Sequence, residues 1–331
     1  MKKMMNKIFN NIIIEINNAD SIGLISHKNP DGDNLGSMIA LYKSLQLMGK
    51  KAMFFTDDNY PDNLKFMPYL DEQSTIYPES LDLLFCLDSS EVKRLKDDGK
   101  AIKIAKKIIV IDHHKSNEMF GDINYIVDDA SSTGELVFNL LEKSQMPINK
   151  EIAECIYIAI ATDTGNFRYS STHASTFRVA AKLLDMGIDL DKIRNNLYES
   201  MKLSELKLIT VALNRMRFFY DNKVCITYVT KADYANYNAK YTEADNIVQF
   251  LRDLETVEIG VILKETDSGY NLSIRTKTFA DASLIAKTLG GGGHIRAAGA
   301  NINSHDVEFV IDKVLKSIDK ETKDAWNFTD R

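Results

Sequence analysis

Residues 21–50 read SIGLISHKNPDGDNLGSMIALYKSLQLMGK and contain one complete structural unit. SIGLISH (21–27) is a short apolar run that suits a buried strand. A sharp polar turn follows. Residues 35–48 then form a helix-like segment that stops at Gly49. The same order recurs downstream. KAMFFT (51–56), DLLFCLD (82–88) and KKIIVID (106–112) read as further buried strands, and helices are predicted at about 133–144, 150–161 and 174–186. Strands alternating with helices imply an α/β fold, a mostly parallel sheet with helices on both faces.

Past Gly187 the composition changes. Residues 190–218 look like one or two amphipathic connecting helices, and strand-like segments follow at 223–229, 257–264 and 270–276. A helix-like ADASLIAKTLG (280–290) runs into four glycines, and a last helix is expected near 306–318. The expected layout is an N-terminal domain over 1–190, a helical linker over 191–218 and a smaller α+β domain over 219–331.

At 331 residues the chain has room for about two domains. An apolar share of 44% with a net charge of only −6 excludes a disordered chain. Cys86, Cys155 and Cys225 form no CxxC pair and no disulfide framework, which suits the reducing cytoplasm. No apolar run approaches the ~20 residues a bilayer span needs, and the lysine-rich N-terminus reads as an amphipathic first helix. The acidic balance argues against coating long nucleic acid by charge alone. Asp57 and Asp58 are expected in a loop, and Trp326 and the tail in packing or solvent.

The turn HKNPDGD places His27, Asp31 and Asp33 directly after the first strand, where open α/β sheets bind ligands. Such a turn can also be an Asx cap on the next helix. Its neighbours decide between the two. LFCLDSSE puts Asp88 at the end of a second apolar run, IIVIDHHKSN puts Asp112, His113 and His114 at the end of another, and AIATDTGNF puts Asp163 at the end of a fourth. Carboxylates converging in this number repel one another unless cations hold them. Mixed His and carboxylate donors suit Mn²⁺, with Mg²⁺ second and Zn²⁺ third. The set is large enough for two divalent cations sharing one bridging carboxylate, the arrangement used in metal-assisted phosphoryl transfer.

HKNPDGD, LDSSE, IDHHKSN and ATDTGNF resemble, in order, the four motifs of the DHH phosphoesterase superfamily. The resemblance implies that His27 and Asp31 bind one metal, that Asp33, His113 and Asp163 bind the other, and that Asp88 bridges them. It implies that His114 contacts the scissile phosphate or protonates the leaving group, with Asp112 orienting the histidine pair. Beyond these, Ser132 or Thr133 either caps a helix or helps bind phosphate, and Arg168 either reaches a phosphate or packs.

LGGGGHIRAAGA (289–300) concentrates Gly290, Gly291, Gly292 and Gly293 before His294 and Arg296, and is expected to be an anion-binding loop. It is neither a Walker loop nor a dinucleotide fingerprint. With NLSIRTK (271–277) upstream, it resembles the DHH-associated substrate domain. By that resemblance Arg275, Gly292, Gly293, His294 and Arg296 contact substrate. His173 and His305 are expected to be structural or solvated.

The compact two-part layout resembles the NrnA-type group of the superfamily. That implies hydrolysis of short oligoribonucleotides and dephosphorylation of 3′-phosphoadenosine 5′-phosphate (pAp), with cleavage of linear pApA as the alternative. A family II pyrophosphatase is disfavoured by the glycine run, and a RecJ-like long-strand exonuclease by the chain length. A nucleotide sensor would be expected to lack a metal ligand, and every ligand position is filled. Short RNA or small nucleotides are the expected partners, with no long duplex and no membrane. A homodimer is left open.

Overall fold

SIGLI, LLFCL and IIVID are mostly apolar, IIVID nearly all β-branched, and they form the centre of a sheet buried on both faces. The computed structural model describes residues 2–57 and 60–322. Asp58 and Trp326 lie outside the described residues. The chain divides into two units, with the break between Ser200 and Met201. Of the two helices in the expected linker, one falls in each unit.

The first unit runs α1 (Lys2–Asn18), β1 (Ser21–Ile25), α2 (Gly32–Leu47), β2 (Lys51–Phe55), β3 (Leu83–Leu87), β4 (Ile108–Asp112), β5 (Ile123–Ile126), α3 (Thr133–Lys143), α4 (Lys150–Asp163), α5 (Ala174–Asp185) and α6 (Leu190–Leu197). The strands form one parallel sheet in the order β2-β1-β3-β4-β5. After β1 the chain goes to one side of the strand, and later returns to its other side. The carboxyl ends of β1 and β3 therefore flank a switch point, where such sheets form a ligand crevice.

Alternation along β3 sorts its side chains. Leu83, Phe85 and Leu87 join the core under the α-helices, and Leu84 and Cys86 join the opposite one. Full burial of a side chain such as Phe85 contributes about 1.5–3 kcal/mol. The helical cover differs in kind between the two faces. The opposite core is closed by 3₁₀ turns at Val92–Arg94 and Lys96–Ile104, the second interrupted by left-handed Asp97, Asp98 and Gly99. Helices α2, α3 and α4 approach closely. A Cβ at Gly36 would lie 2.4 Å from the Cys155 carbonyl, and one at Gly134 would lie 2.4 Å from the Ala159 Cβ. That approach brings the start of α2, the start of α3 and the end of α4 together.

The second unit contains α7 (Leu203–Asn214), β6 (Arg217–Phe219), β7 (Val224–Val229), α8 (Lys231–Tyr237), α9 (Ile247–Asp253), β8 (Ile259–Thr266), β9 (Gly269–Thr276), α10 (Ala282–Thr288), β10 (Gly292–His294), β11 (Ala297–Ile302) and α11 (Val307–Thr322). Its mixed sheet has the order β10-β11-β9-β8-β7-β6. Only β7 and β8 pair in parallel. Helices α10 and α11 fill one face with Tyr270, Leu272 and Ile274, while Ile262 on the other face packs with residues of α7 and α9. No helix among the described residues is long and apolar enough to cross a membrane.

Candidate metal centre

Asp88 is the hub of the site. It follows β3, is 2% exposed and has a left-handed backbone (φ 53°). A non-glycine residue held there costs about 1–3 kcal/mol, a strain that concentrates at functional sites. Its amide is anchored to the Ile111 carbonyl at 3.0 Å. Its two carboxylate oxygens face different partners. Oδ2 lies 3.3 Å from His27 Nε2, and Oδ1 lies 3.7 Å from His113 Nε2 and accepts a hydrogen bond from Thr133 Oγ1 at 3.1 Å.

On the first side, His27 Nε2 also lies 3.8 Å from Asp31 Oδ2. Asp31 serves twice, because its Oδ1 caps α2 by accepting from the Asn34 amide at 2.9 Å. The turn thus caps α2 with one oxygen of Asp31 and leaves the other facing His27. On the second side, His113 Nε2 lies 3.8 Å from Asp33 Oδ2 and 3.5 Å from Asp163 Oδ2. The donor atoms of His27, Asp31 and Asp88 all lie within 4.8 Å of one another. So do those of Asp33, His113 and Asp163, and those of Asp88, His113 and His114.

The imidazoles are oriented by their other nitrogens. His27 Nδ1 sits 2.7 Å from the Lys28 carbonyl, which fixes the proton there and leaves Nε2 as a lone-pair donor. His114 Nδ1 donates to Asp112 Oδ1 at 2.7 Å, leaving Nε2 with no partner among the described residues. Asp112 is fully buried. It also accepts from the His113 amide at 2.9 Å and, through Oδ2, from Asn117 Nδ2 at 2.6 Å. Asn117 escaped the sequence reading, since an Asn five residues past an Asp carries no distinctive signal.

The electrostatics are those of crowded carboxylates. Burial, then repulsion from Asp88, Asp163 and Asp31, pushes Asp33 well above the usual carboxylate range. Burial and Asp88 raise Asp31. Burial pushes Asp163 up to about 6, while His113 and His114 relieve part of the shift and repulsion from Asp88 and Asp31 adds to it. Asp88 is the exception: burial would raise it, but hydrogen bonding to His27 and the charges of the surrounding imidazoles hold it low. Burial opposes protonation of His27, yet its bond to Asp88 raises it overall. His114 is raised first by its bond to Asp112. Deprotonated carboxylates and Nε2 lone pairs aimed inward form a donor set that fits divalent cations.

Other expectations resolve in detail. Asp163 joins from the carboxyl end of α4 and Asp33 from the first turn of α2, whereas His27, Asp31, Asp88 and His113 sit beyond strand ends. Ser132 caps α3, its Oγ accepting from the Glu135 amide at 3.1 Å. The next amides of that helix start are engaged within the fold. Thr133 N and Gly134 N donate to the two oxygens of Asp33 at 2.7 and 2.8 Å. Arg168 Nε donates to the Gly165 carbonyl at 2.8 Å. His173 pairs with Asp129 and His305 with Glu265 at the surface.

In the second unit the expected glycine loop is partly a strand, a correction with a steric basis. Gly292, Gly293 and His294 pair with Gly299, Ala298 and Ala297, and a Cβ at Gly293 would strike Ala298 at 2.5 Å. Arg275 is half-buried, makes no ion pair among the described residues, and is destabilised as a cation first by burial and then by Arg252. Arg296 is engaged within the fold. Its guanidinium donates to the Ala280 carbonyl at 2.7 Å and to the Thr278 carbonyl.

A switch-point cluster of this kind, followed by a mixed-sheet unit with a glycine strand, defines a hydrolase of phosphoester bonds in the DHH family. The chain belongs to that family: the DHH family N-terminal domain matches residues 21–160 and the DHHA1 domain residues 221–324. It is 30% identical over 304 residues to a Thermus thermophilus protein named bifunctional oligoribonuclease and PAP phosphatase NrnA, covering 91% of this chain and 90% of that one. A Bacillus subtilis protein of the same name is 28% identical over 320 residues, 95% of this chain and 98% of that one. Among solved structures, an exopolyphosphatase-related protein from Bacteroides fragilis superposes with a TM-score of 0.88 at 27% identity, covering 97% and 98% of the two chains.

Proposed function

We propose that this protein hydrolyses short oligoribonucleotides to mononucleotides and removes the 3′-phosphate of pAp. The observation that carries the reading is the placement of Asp88, with one oxygen toward His27 and Asp31 and the other toward His113. Similarity to the Thermus and Bacillus proteins supports the substrate class.

His27 and Asp31 would hold one divalent cation and Asp33, His113 and Asp163 a second, with Asp88 offering an oxygen to each set. When bound, the pair (Mn²⁺ by preference, Mg²⁺ as the alternative) supplies water of lowered pKa and charge that offsets the phosphate. Thr133 and Gly134 fix Asp33 through both its oxygens, and Lys28 fixes the tautomer of His27. His114, kept protonated at Nδ1 by Asp112, presents Nε2 to the phosphate or to the leaving oxygen. Arg275, His294, Gly292 and Gly293 hold a distal phosphate, and Arg296 acts through the turn it secures. Domain roles follow: 1–190 catalytic, 191–218 linking, 219–331 substrate-binding. Three buried, unpaired thiols fit a cytoplasmic location.

The test is a side-by-side assay with Mn²⁺ on pAp, pApA, cyclic-di-AMP, RNA dimers to pentamers and long single strands. Turnover is expected to be fastest on pAp and the shortest RNAs. Preference for long strands, or no metal-dependent release from any substrate, would overturn the reading.

A further inference from the structure

Helix α11 carries a lysine stripe beside its buried one. Val310, Ile311, Val314 and Ile318 join the core of the second unit, and the polar Ser317, 5% exposed, stands in the same buried stripe. Its Oγ donates to the Ile285 carbonyl at 2.8 Å, as does Thr288 Oγ1 at 2.8 Å. These two residues line a cavity of about 570 Å³ where the ends of α10 and β11 meet α11. Small-molecule sites occupy about 300–1,000 Å³. Leu289 and Ile302 give the cavity an apolar wall. Strand β11 pairs with β9 as far as Ile302, but β10 covers its other side only as far as Gly299. Past Gly299 that edge has no strand partner among the described residues, so the backbone at the cavity is open to an occupant.

The charge of the wall is one-sided. It contains Lys313, Lys316 and Lys320 and no acidic residue, in a chain whose net charge is −6. The spacing of three and then four residues puts the lysines on one face of α11, over about 10 Å of helix at 1.5 Å per residue. Like charges so placed weaken a helix unless an anion answers them. Asp312 answers Lys316, at 2.6 Å. Lys313 lies over the Phe309 ring, 4.8 Å from its centroid, and neither Lys313 nor Lys320 has a carboxylate partner among the described residues. Nor does the Asn303 side chain make a hydrogen bond among them, which leaves its amide for another partner. The cavity is not an extension of the Arg275 face. Ile274 fills the core under α10 and α11, so its β9 neighbour Arg275 projects from the opposite side of the sheet.

We propose that this cavity is a second anion site, which binds a nucleoside di- or triphosphate with its phosphate chain along Lys313, Lys316 and Lys320 and its nucleoside against Leu289 and Ile302. Three ammonium groups in a row are point charges on long flexible stems, which suits a chain of phosphates better than one planar anion. A row of about 10 Å also exceeds what a single phosphate group can span. The apolar wall and the free amide of Asn303 give a sugar and base something to bind that bare polyphosphate lacks. The site is independent of the metal centre and of the substrate contacts proposed for Arg275 and His294.

The test is calorimetric titration of the full-length protein, in chelator at low ionic strength, with ATP, inorganic tripolyphosphate and AMP. ATP is expected to bind most tightly, and AMP at least ~10-fold more weakly. A Lys313→Ala/Lys320→Ala variant should lose at least ~10-fold in ATP affinity, with an unchanged melting temperature showing that the fold is intact. Arg275→Ala should leave the ATP affinity unchanged. ATP binding no more tightly than tripolyphosphate or AMP, or an ATP affinity that falls with Arg275→Ala and not with the lysine variant, would overturn the proposal. No readout involves turnover, so failure here and failure of the substrate assay are separate results.

Discussion

Replacing Asp163 with Asn should stabilise the metal-free protein at neutral pH and weaken it as a metal binder. Asp163 ends α4, where a negative charge meets the unfavourable end of the helix dipole. Its carboxyl titrates near 6 in the fold, against an ordinary value near 3.8. A raised folded value means that the favourable contribution is complete below about 3.8 and is lost as the pH rises through about 6. The gap corresponds to about 3 kcal/mol at 1.36 kcal/mol per unit. Roughly a third of the side chain reaches solvent, so screening reduces this to about 1–2 kcal/mol.

An isosteric amide removes that penalty. In chelator near pH 7.5, Asp163→Asn should raise the melting temperature of the first unit by about 3–6 °C. The gain should fall to about half near pH 5 and vanish toward pH 3.5. Saturating Mn²⁺ should reverse the order, because the wild type regains a charged ligand that the amide replaces poorly. Scanning calorimetry over this pH range, with and without Mn²⁺, gives the answer. A variant that is less stable without metal at pH 7.5, or a gain independent of pH, would refute the charge-crowding argument.

Asp88→Ala should abolish turnover on every substrate and lower bound metal below the two equivalents proposed for the wild type, measured by elemental analysis, since both sides of the centre lose an oxygen. Arg275→Ala should raise KM for pAp by about tenfold or more with kcat largely kept, read from initial rates. Asp112→Asn should lower the His114 pKa by removing the bond that raises it. The alkaline limb of the kcat profile, where His114 loses its proton, should then shift to lower pH.

The strand-end residues were legible because strand and turn are local. An apolar run that ends in Asp or His reports both the strand and the donor, as SIGLISH and IIVIDHH do. The helices over 133–143, 150–163 and 174–185 were legible from their periodicity. Besides Asn117, three things escaped. The pairing of Gly292 to His294 with β11 depends on a partner strand that a glycine run does not announce. The engagement of Arg296 depends on carbonyls 16 and 18 residues away. The use of the α3 amides by Asp33 spans a hundred residues of chain.

What the chain order alone determined was the inventory: which side chains can bind cations, which runs become strands, and where the glycines lie. The tertiary structure decided how that inventory is spent. The strand order β2-β1-β3-β4-β5 brings the ends of β1 and β3 together, and close packing of α2, α3 and α4 delivers Asp33 and Asp163 to the same point. The left-handed turn at Asp88 accompanies two oxygens that face different side-chain clusters. These are distances between residues far apart in the chain, and they exist only once hydrophobic burial has overcome the entropy of bringing them together.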